Sequence, residues 1–264
     1  VVTSAVVFIF GLVVGSFLNV CIYRIPQGMS IVKPSRSICP KCGRMIRWYD
    51  NIPVISFLVL RGRCRYCGEP ISVRYPLVEL LTAAIFTLLL KRYGLTVELA
   101  GYCFMSAMLI AISFIDLSHY IIPNRITLPG IALGLIFGAG LMLVHHRPSM
   151  LVNRVVGLLV GGMVILVMGL IGSLIFRREA MGMGDVKLMA MIGAFMGFYP
   201  HTLLVILISA VMGSVVGGGY MLARKAGLKS PIPYGPFLSA AAVISLFWGE
   251  ELWEWYISLL KLTP

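Results

Sequence analysis

Charge is scarce in this chain. Asp, Glu, Lys and Arg together make up 12% of its 264 residues, about half of the ~25% found in ordinary soluble domains, so a water-soluble globule is not expected. Acidic side chains are the rarest: three Asp (Asp50, Asp116 and Asp185) and seven Glu. Disorder is excluded as well, because disordered chains are poor in apolar residues and this one is 59% hydrophobic. The four histidines, His119, His145, His146 and His201, show no metal-ligand spacing, and a solvent-facing or interfacial role is their default. There is no low-complexity tract, no internal repeat of the transporter kind and no Gly-rich nucleotide motif.

What the chain does have is apolar length. Its mean hydropathy is +0.95, and a run of about 20 apolar residues crosses a bilayer. Runs at 2–23, 76–93, 98–116, 128–144, 154–176, 186–200, 202–222 and 236–258 read as spans. The sixth is short and rich in Gly and Met, and the last is interrupted by Glu250 and Glu251, so seven spans or a re-entrant segment are the alternatives. The expected fold is an all-α polytopic integral membrane protein of about eight transmembrane helices.

Orientation follows from the 22 Lys and Arg. If the loop 24–75 faces the cytoplasm, then so do the turns 117–127, 177–187 and 223–235, and together they hold 17 of the basic residues. The other side keeps five: Lys91, Arg92, Arg147, Arg154 and Lys261. Cytoplasmic loops hold the excess of Lys and Arg, so both termini are expected outside. A net charge of +12 is explained by this bias, with attraction to anionic lipid, and no nucleic-acid partner is expected. Three parts result: the first span (1–23), a basic loop (24–75) and the remaining span bundle (76–264).

Glycines four apart (Gly130, Gly134 and Gly138; Gly157 and Gly161; Gly193 and Gly197; Gly213 and Gly217) let helices approach closely in lipid. Packing within one chain is the preferred reading, with a homodimer contact as the alternative.

Within the basic loop, Cys39-Pro-Lys-Cys42-Gly43 and Cys64-Arg-Tyr-Cys67-Gly68 are each a C-x2-C followed by Gly. Such a turn puts two thiolates on one side of a knuckle, and two knuckles make the tetrahedral four-sulfur site that zinc favours. The pairs are 21 residues apart, a span that a β-hairpin can absorb. A closed four-thiolate site has no place for water, so this zinc is structural. Two disulfides, or four unrelated cysteines, are the alternatives. Cys21 and Cys103 lie in apolar runs and read as small buried hydrophobes.

Asp116 ends one apolar run and Asp185 follows Gly182-Met-Gly184. The topology puts both at cytoplasmic span ends, where an ionisable residue is costly and by default a functional-site candidate. A neutral acid beside a carboxylate is what attack of water on a peptide requires. Helix capping, pairing with Arg125 or Lys187, and a proton- or cation-coupled transporter are competing readings. Glu79 reads as a partner for a loop Arg, Asp50 as part of the cysteine loop, and Asn19 and Arg24 as residues that line a site or serve packing and anchoring.

The residues carry a resemblance that spans the chain in order: GSFLNVCIYRIP at 15–26, CPKC at 39–42, DNIPVISFLVLRGRCRYCG at 50–68, YPLVELLTA at 75–83, FIDLSHYIIPNRITLP at 114–129, GMGDVKLMAMIGA at 182–194 and PYGPFL at 233–238. The chain resembles the bacterial type IV prepilin peptidases (prepilin leader peptidase/N-methyltransferase), and GMGDVK is highly specific. The resemblance implies an aspartic endopeptidase with Asp116 and Asp185 as the catalytic pair. It implies cleavage of the short basic leader of type IV prepilins or type II secretion pseudopilins at the cytoplasmic face of the bacterial inner membrane, after a Gly and usually before a Phe. It also implies methylation of the new amino terminus by S-adenosylmethionine, with a peptidase lacking that second activity as the alternative. The cysteine loop resembles that of the longer, bifunctional members. Asn124 stands where Pro-Asp often follows the first catalytic aspartate, and Pro-Asn is a common variant.

Overall fold

The computed structural model describes residues 2–34, 36–177, 181–224 and 232–261, so parts of the basic turns 177–187 and 223–235 lie outside the described residues. Eight long helices fall on the eight expected runs: α1 (Val2–Arg24), α3 (Arg74–Tyr93), α4 (Val97–His119), α5 (Asn124–His145), α6 (Ser149–Phe176), α7 (Met183–Met196), α8 (Leu203–Arg224) and α9 (Gly235–Lys261). A short helix, α2 (Ile55–Val59), lies in the basic loop. Among the described residues there is no strand, only two isolated bridges. Five segments are long and apolar enough to cross a membrane: α1, α4, α5, most of α6, and Phe198–Gly219, which holds most of α8. The chain is therefore a multi-pass membrane protein. It divides into two compact units, Val1–Ala111 and Ile112–Pro264.

In the first unit α1 packs along α3. A Cβ added to Gly11 would lie 2.6 Å from the Ala83 Cα, and one on Gly15 2.6 Å from the Glu79 Cα. Only glycine allows this backbone contact, and this pair was absent from the glycine ridges expected from sequence. The basic loop starts where Arg24, 4% exposed, gathers its own chain. Its guanidinium donates to the carbonyls of Ser30, Ile31, Pro34 and Arg36 at 2.9–3.2 Å. Between the two cysteine pairs the chain forms a tight helical turn (Trp48–Asn51) and then α2. The hairpin expected there is absent because Val54 turns the chain at φ +59 and its amide is drawn to α3, as described below.

In the second unit α7 is the central element. Its 14 residues reach about 21 Å at ~1.5 Å per residue, short of the ~30 Å hydrocarbon core. Leu188–Met196 are all buried, and α5 and α6 pack against them. A Cβ on Gly193 would lie 2.2 Å from the Gly157 carbonyl oxygen, and one on Gly134 2.9 Å from the Ala194 Cβ. These glycine ridges therefore serve packing within the chain. After α7 the Asn153 carboxamide oxygen accepts from the Phe198 and Tyr199 N–H groups and secures the turn into α8. The last expected span is one helix with a break in helical geometry at Trp248, just before Glu250 and Glu251. His201 is only half buried and packs on Ser245, Nδ1 to Oγ 3.1 Å.

Candidate active site and metal centre

Two sequence segments supply the aspartates. Asp116 sits in the last turn of α4 and Asp185 in the first turn of α7; both are buried. Gly182 enters α7 in an extended conformation, and its N–H donates to Asp185 Oδ2 at 3.2 Å. Asp185 thus closes the start of its own helix, where the helix dipole favours a negative charge. Asp116 Oδ2 accepts from the Gly235 N–H at 3.0 Å, so the start of α9 holds the end of α4.

Ile122 joins the two halves. A Cβ on Gly184 would lie 2.8 Å from the Ile122 Cβ, and one on Gly235 would lie 2.8 Å from Asp116 Oδ2 and 3.2 Å from the Ile122 Cδ1. Both glycine backbones therefore press on one side chain, which brings the end of α4 and the start of α7 together. Among the described residues neither Arg125 nor Lys187 forms an ion pair with the aspartates; Lys187 Nζ donates to Asn124 Oδ1 at 2.9 Å. The Pro-Asn variation thus ties the start of α5 to α7. Gly235 and Ile122 were missed in the sequence reading. The signal available for Gly235 was its place in PYGPFL, opening the last apolar run.

The four cysteines also meet. Sγ of Cys39, Cys42, Cys64 and Cys67 all lie within 4.8 Å of one another, an arrangement that can hold a metal ion. The two knuckles have the same build. Gly43 N–H donates to Cys39 O and Gly68 N–H to Cys64 O, both at 2.9 Å, with φ of +68 and +71 at the two glycines. Cys39 N–H donates to Arg44 O and Cys64 N–H to Glu69 O, which closes each turn. The Cys67 and Tyr66 backbone N–H groups pull the Cys64 thiol down to about 7. A Cys39–Cys67 sulfur separation of 4.0 Å excludes a disulfide between them, which needs about 2 Å. It is near the ~3.8 Å edge of a tetrahedron with ~2.3 Å zinc–sulfur bonds.

The remaining acids hold this loop. Asp50, its side chain 5% exposed, takes both Arg65 Nε and a terminal guanidinium nitrogen at 2.7–3.1 Å. It joins the segment between the knuckles to the second knuckle, as expected. Glu79 takes the Val54 N–H at 2.8 Å, together with the Ser16 side chain, and not the loop Arg expected for it. Two basic side chains of the loop are engaged elsewhere: Arg24 with four carbonyls of its own chain and Arg65 with Asp50.

These features describe a helical membrane protein with two buried carboxyls at helix ends and a four-cysteine cluster that can hold a metal ion. The chain belongs to the type IV leader peptidase family. That family's model matches residues 103–218, and the bacterial peptidase A24 N-terminal domain matches residues 9–93. The chain is 42% identical to a prepilin leader peptidase/N-methyltransferase of Myxococcus xanthus, over 94% of this chain and 73% of that protein. It is 37% identical to the same-named protein of Aeromonas hydrophila (96% and 93% covered) and 35% to that of Xanthomonas campestris (94% and 92%). None of these three bears a transporter's name. No solved structure matches.

Proposed function

We propose that Asp116 and Asp185 form the catalytic pair of a prepilin peptidase, which removes the basic leader of prepilins or pseudopilins after a Gly at the cytoplasmic face of the bacterial inner membrane. The observation that carries this reading is the convergence on Ile122 of the two helix ends that bear the aspartates, each carboxyl held at Oδ2 by a glycine N–H. One carboxylate takes a proton from water as the water oxygen bonds the scissile carbonyl carbon. The other, protonated, gives its proton to the carbonyl oxygen. When the tetrahedral intermediate collapses, the carbon–nitrogen bond breaks and the leaving amine takes a proton. The roles belong to the pair, since two interacting acids share their protons. The apolar helix of the substrate lies among the spans, which confines cleavage to chains already in the membrane.

The same reading includes N-methylation of the new amino terminus, supported by the names of the relatives. S-adenosylmethionine, when bound, would supply the electrophilic methyl group for the newly freed amine. Zinc fits the four thiols by spacing and ligand type. It would cross-link the two knuckles and supply no open position for catalysis. It also explains how a loop with ten Lys and Arg tolerates a basic leader: four bound thiolates subtract positive charge, and the remainder favours anionic lipid.

Intact mass spectrometry of a prepilin co-expressed with the protein tests the proposal. Wild type is expected to remove the leader and add one methyl group. Asp116→Asn and Asp185→Asn, each still folded, are expected to lose about 10²-fold or more of the cleavage rate. Full processing by either variant would remove that residue from the catalytic pair.

A further inference from the structure

Beside the cysteine cluster, whose Cys39 and Cys64 line it, the first unit contains a cavity of about 360 Å³ walled by α1, the start of α3 and the basic loop. Its size falls in the ~300–1,000 Å³ range of small-molecule sites. Neither catalytic aspartate lines it, and the leader-cleavage reading gives it no role.

The wall carries one unsatisfied polar group. Asn19, 2% exposed, lines the cavity. Its Nδ2 donates to the Gly15 and Tyr75 carbonyls at 3.3 and 3.0 Å, which fixes the orientation of the carboxamide, because an oxygen in that place would face two acceptors. Oδ1 is then left buried without a partner. A buried acceptor without a donor costs about 1–3 kcal/mol, so such groups are kept where a ligand or water completes them. On the same wall is Glu79, 7% exposed, whose carboxylate is held in place by Val54. Tyr23, Tyr75 and Phe57 add aromatic surface.

The charges on this wall favour one ligand chemistry. Arg24 faces the cavity, but four carbonyls occupy its guanidinium, and Arg65 is committed to Asp50. Lys41 and Arg74 also line the cavity, with Asp50 and Glu69, so the wall presents a lone acceptor, carboxylates, cationic side chains and aromatic faces. Those suit a zwitterion with amine donors, a carboxylate and a flat ring, since aromatic faces attract cations and basic side chains pair with carboxylates. An amino acid joined through a sulfonium to a nucleoside has all of these parts.

We propose that this cavity is the methyl-donor site, taking S-adenosylmethionine, with Asn19 Oδ1 accepting from a donor on the ligand and Glu79 facing its positive charge. The proposal rests on the methyltransferase reading above. It places the methyl donor in Val1–Ala111, the unit that holds the cysteine loop.

Equilibrium dialysis of tritiated S-adenosylmethionine against the purified full chain in detergent tests it, with three variants. Asn19→Ala removes the acceptor. Glu79→Gln removes the charge but keeps an oxygen for the Val54 N–H. Ser56→Trp fills the cavity from α2 and leaves the Asn19 contacts untouched. Zinc content and thermal midpoint report whether each variant is folded. Wild-type binding that weakens roughly tenfold or more in folded variants is the expected result. Wild-type binding retained by all three would overturn the site and leave the methyltransferase reading standing. No binding by zinc-loaded wild type, with cleaved but unmethylated pilin by mass, would remove the methyltransferase reading and this site with it.

Discussion

Gly235 donates its backbone N–H to Oδ2 of Asp116 at 3.0 Å, although 119 residues separate them. The contact orients the carboxyl and places the first turn of α9 against it, with Ile122 filling the space that a larger residue at 235 would take.

Gly235→Ala therefore tests positioning rather than chemistry. Alanine is the better helix former by up to about 1 kcal/mol, so helix weakening cannot account for a defect. Its Cβ would sit 2.8 Å from Asp116 Oδ2 and force the carboxyl aside. Prepilin cleavage is expected to fall about tenfold or more, since a shift of ~1 Å in a catalytic group is costly. Gly140→Ala, with no atom within 4 Å of its Cβ, is expected to cleave like wild type. Equal rates for both would sink the positioning role.

Gly193→Ala tests the packing of α7 on α6. The neighbour at 2.2 Å is the Gly157 backbone, which cannot rotate away as a side chain can. Overpacking of this kind costs about 1–3 kcal/mol, so the thermal midpoint in detergent is expected to drop, and cleavage to drop with it because α7 carries Asp185. Gly162→Ala, whose nearest contact is an ordinary 3.4 Å, is the matched control. An unchanged midpoint for Gly193→Ala would show that the helices can part there.

Asp50→Asn separates the loop from the chemistry. Asparagine loses the charge that holds Arg65 in two-point contact, so the second knuckle loosens. Zinc release to a chelator is expected to be several times faster, while prepilin is still cut at the wild-type rate. Loss of cleavage in a variant that keeps its zinc would give Asp50 a place in the peptidase site.

Metal retention should follow pH with a definite sign. Zinc binds thiolates, so protons compete with it. The Cys64 thiol, held down to about 7 by two backbone N–H groups, favours the thiolate above that pH and loses the advantage as pH falls through it. Metal analysis after dialysis is expected to show about one zinc per chain at mildly alkaline pH and progressive loss on acidification. Retention that rises on acidification would contradict four-thiolate binding.

The sequence by itself determined the features that are local. Eight apolar runs became eight long helices because hydropathy along a segment sets where it can lie. The two C-x2-C-Gly turns folded as matched knuckles because each closes through hydrogen bonds within about seven residues. The same locality put Asp116 and Asp185 at helix ends. Tertiary structure alone decided what each polar group meets. Glu79 found the Val54 amide and not an arginine, Lys187 found Asn124 and not Asp185, and Asn19 spent its donors on the Tyr75 carbonyl 56 residues away. Hydropathy also could not tell α7, walled in by protein, from a helix facing lipid, since both are apolar. Such pairings depend on how closely backbones approach, and glycines such as Gly15, Gly157 and Gly193 set that distance without presenting a side chain of their own.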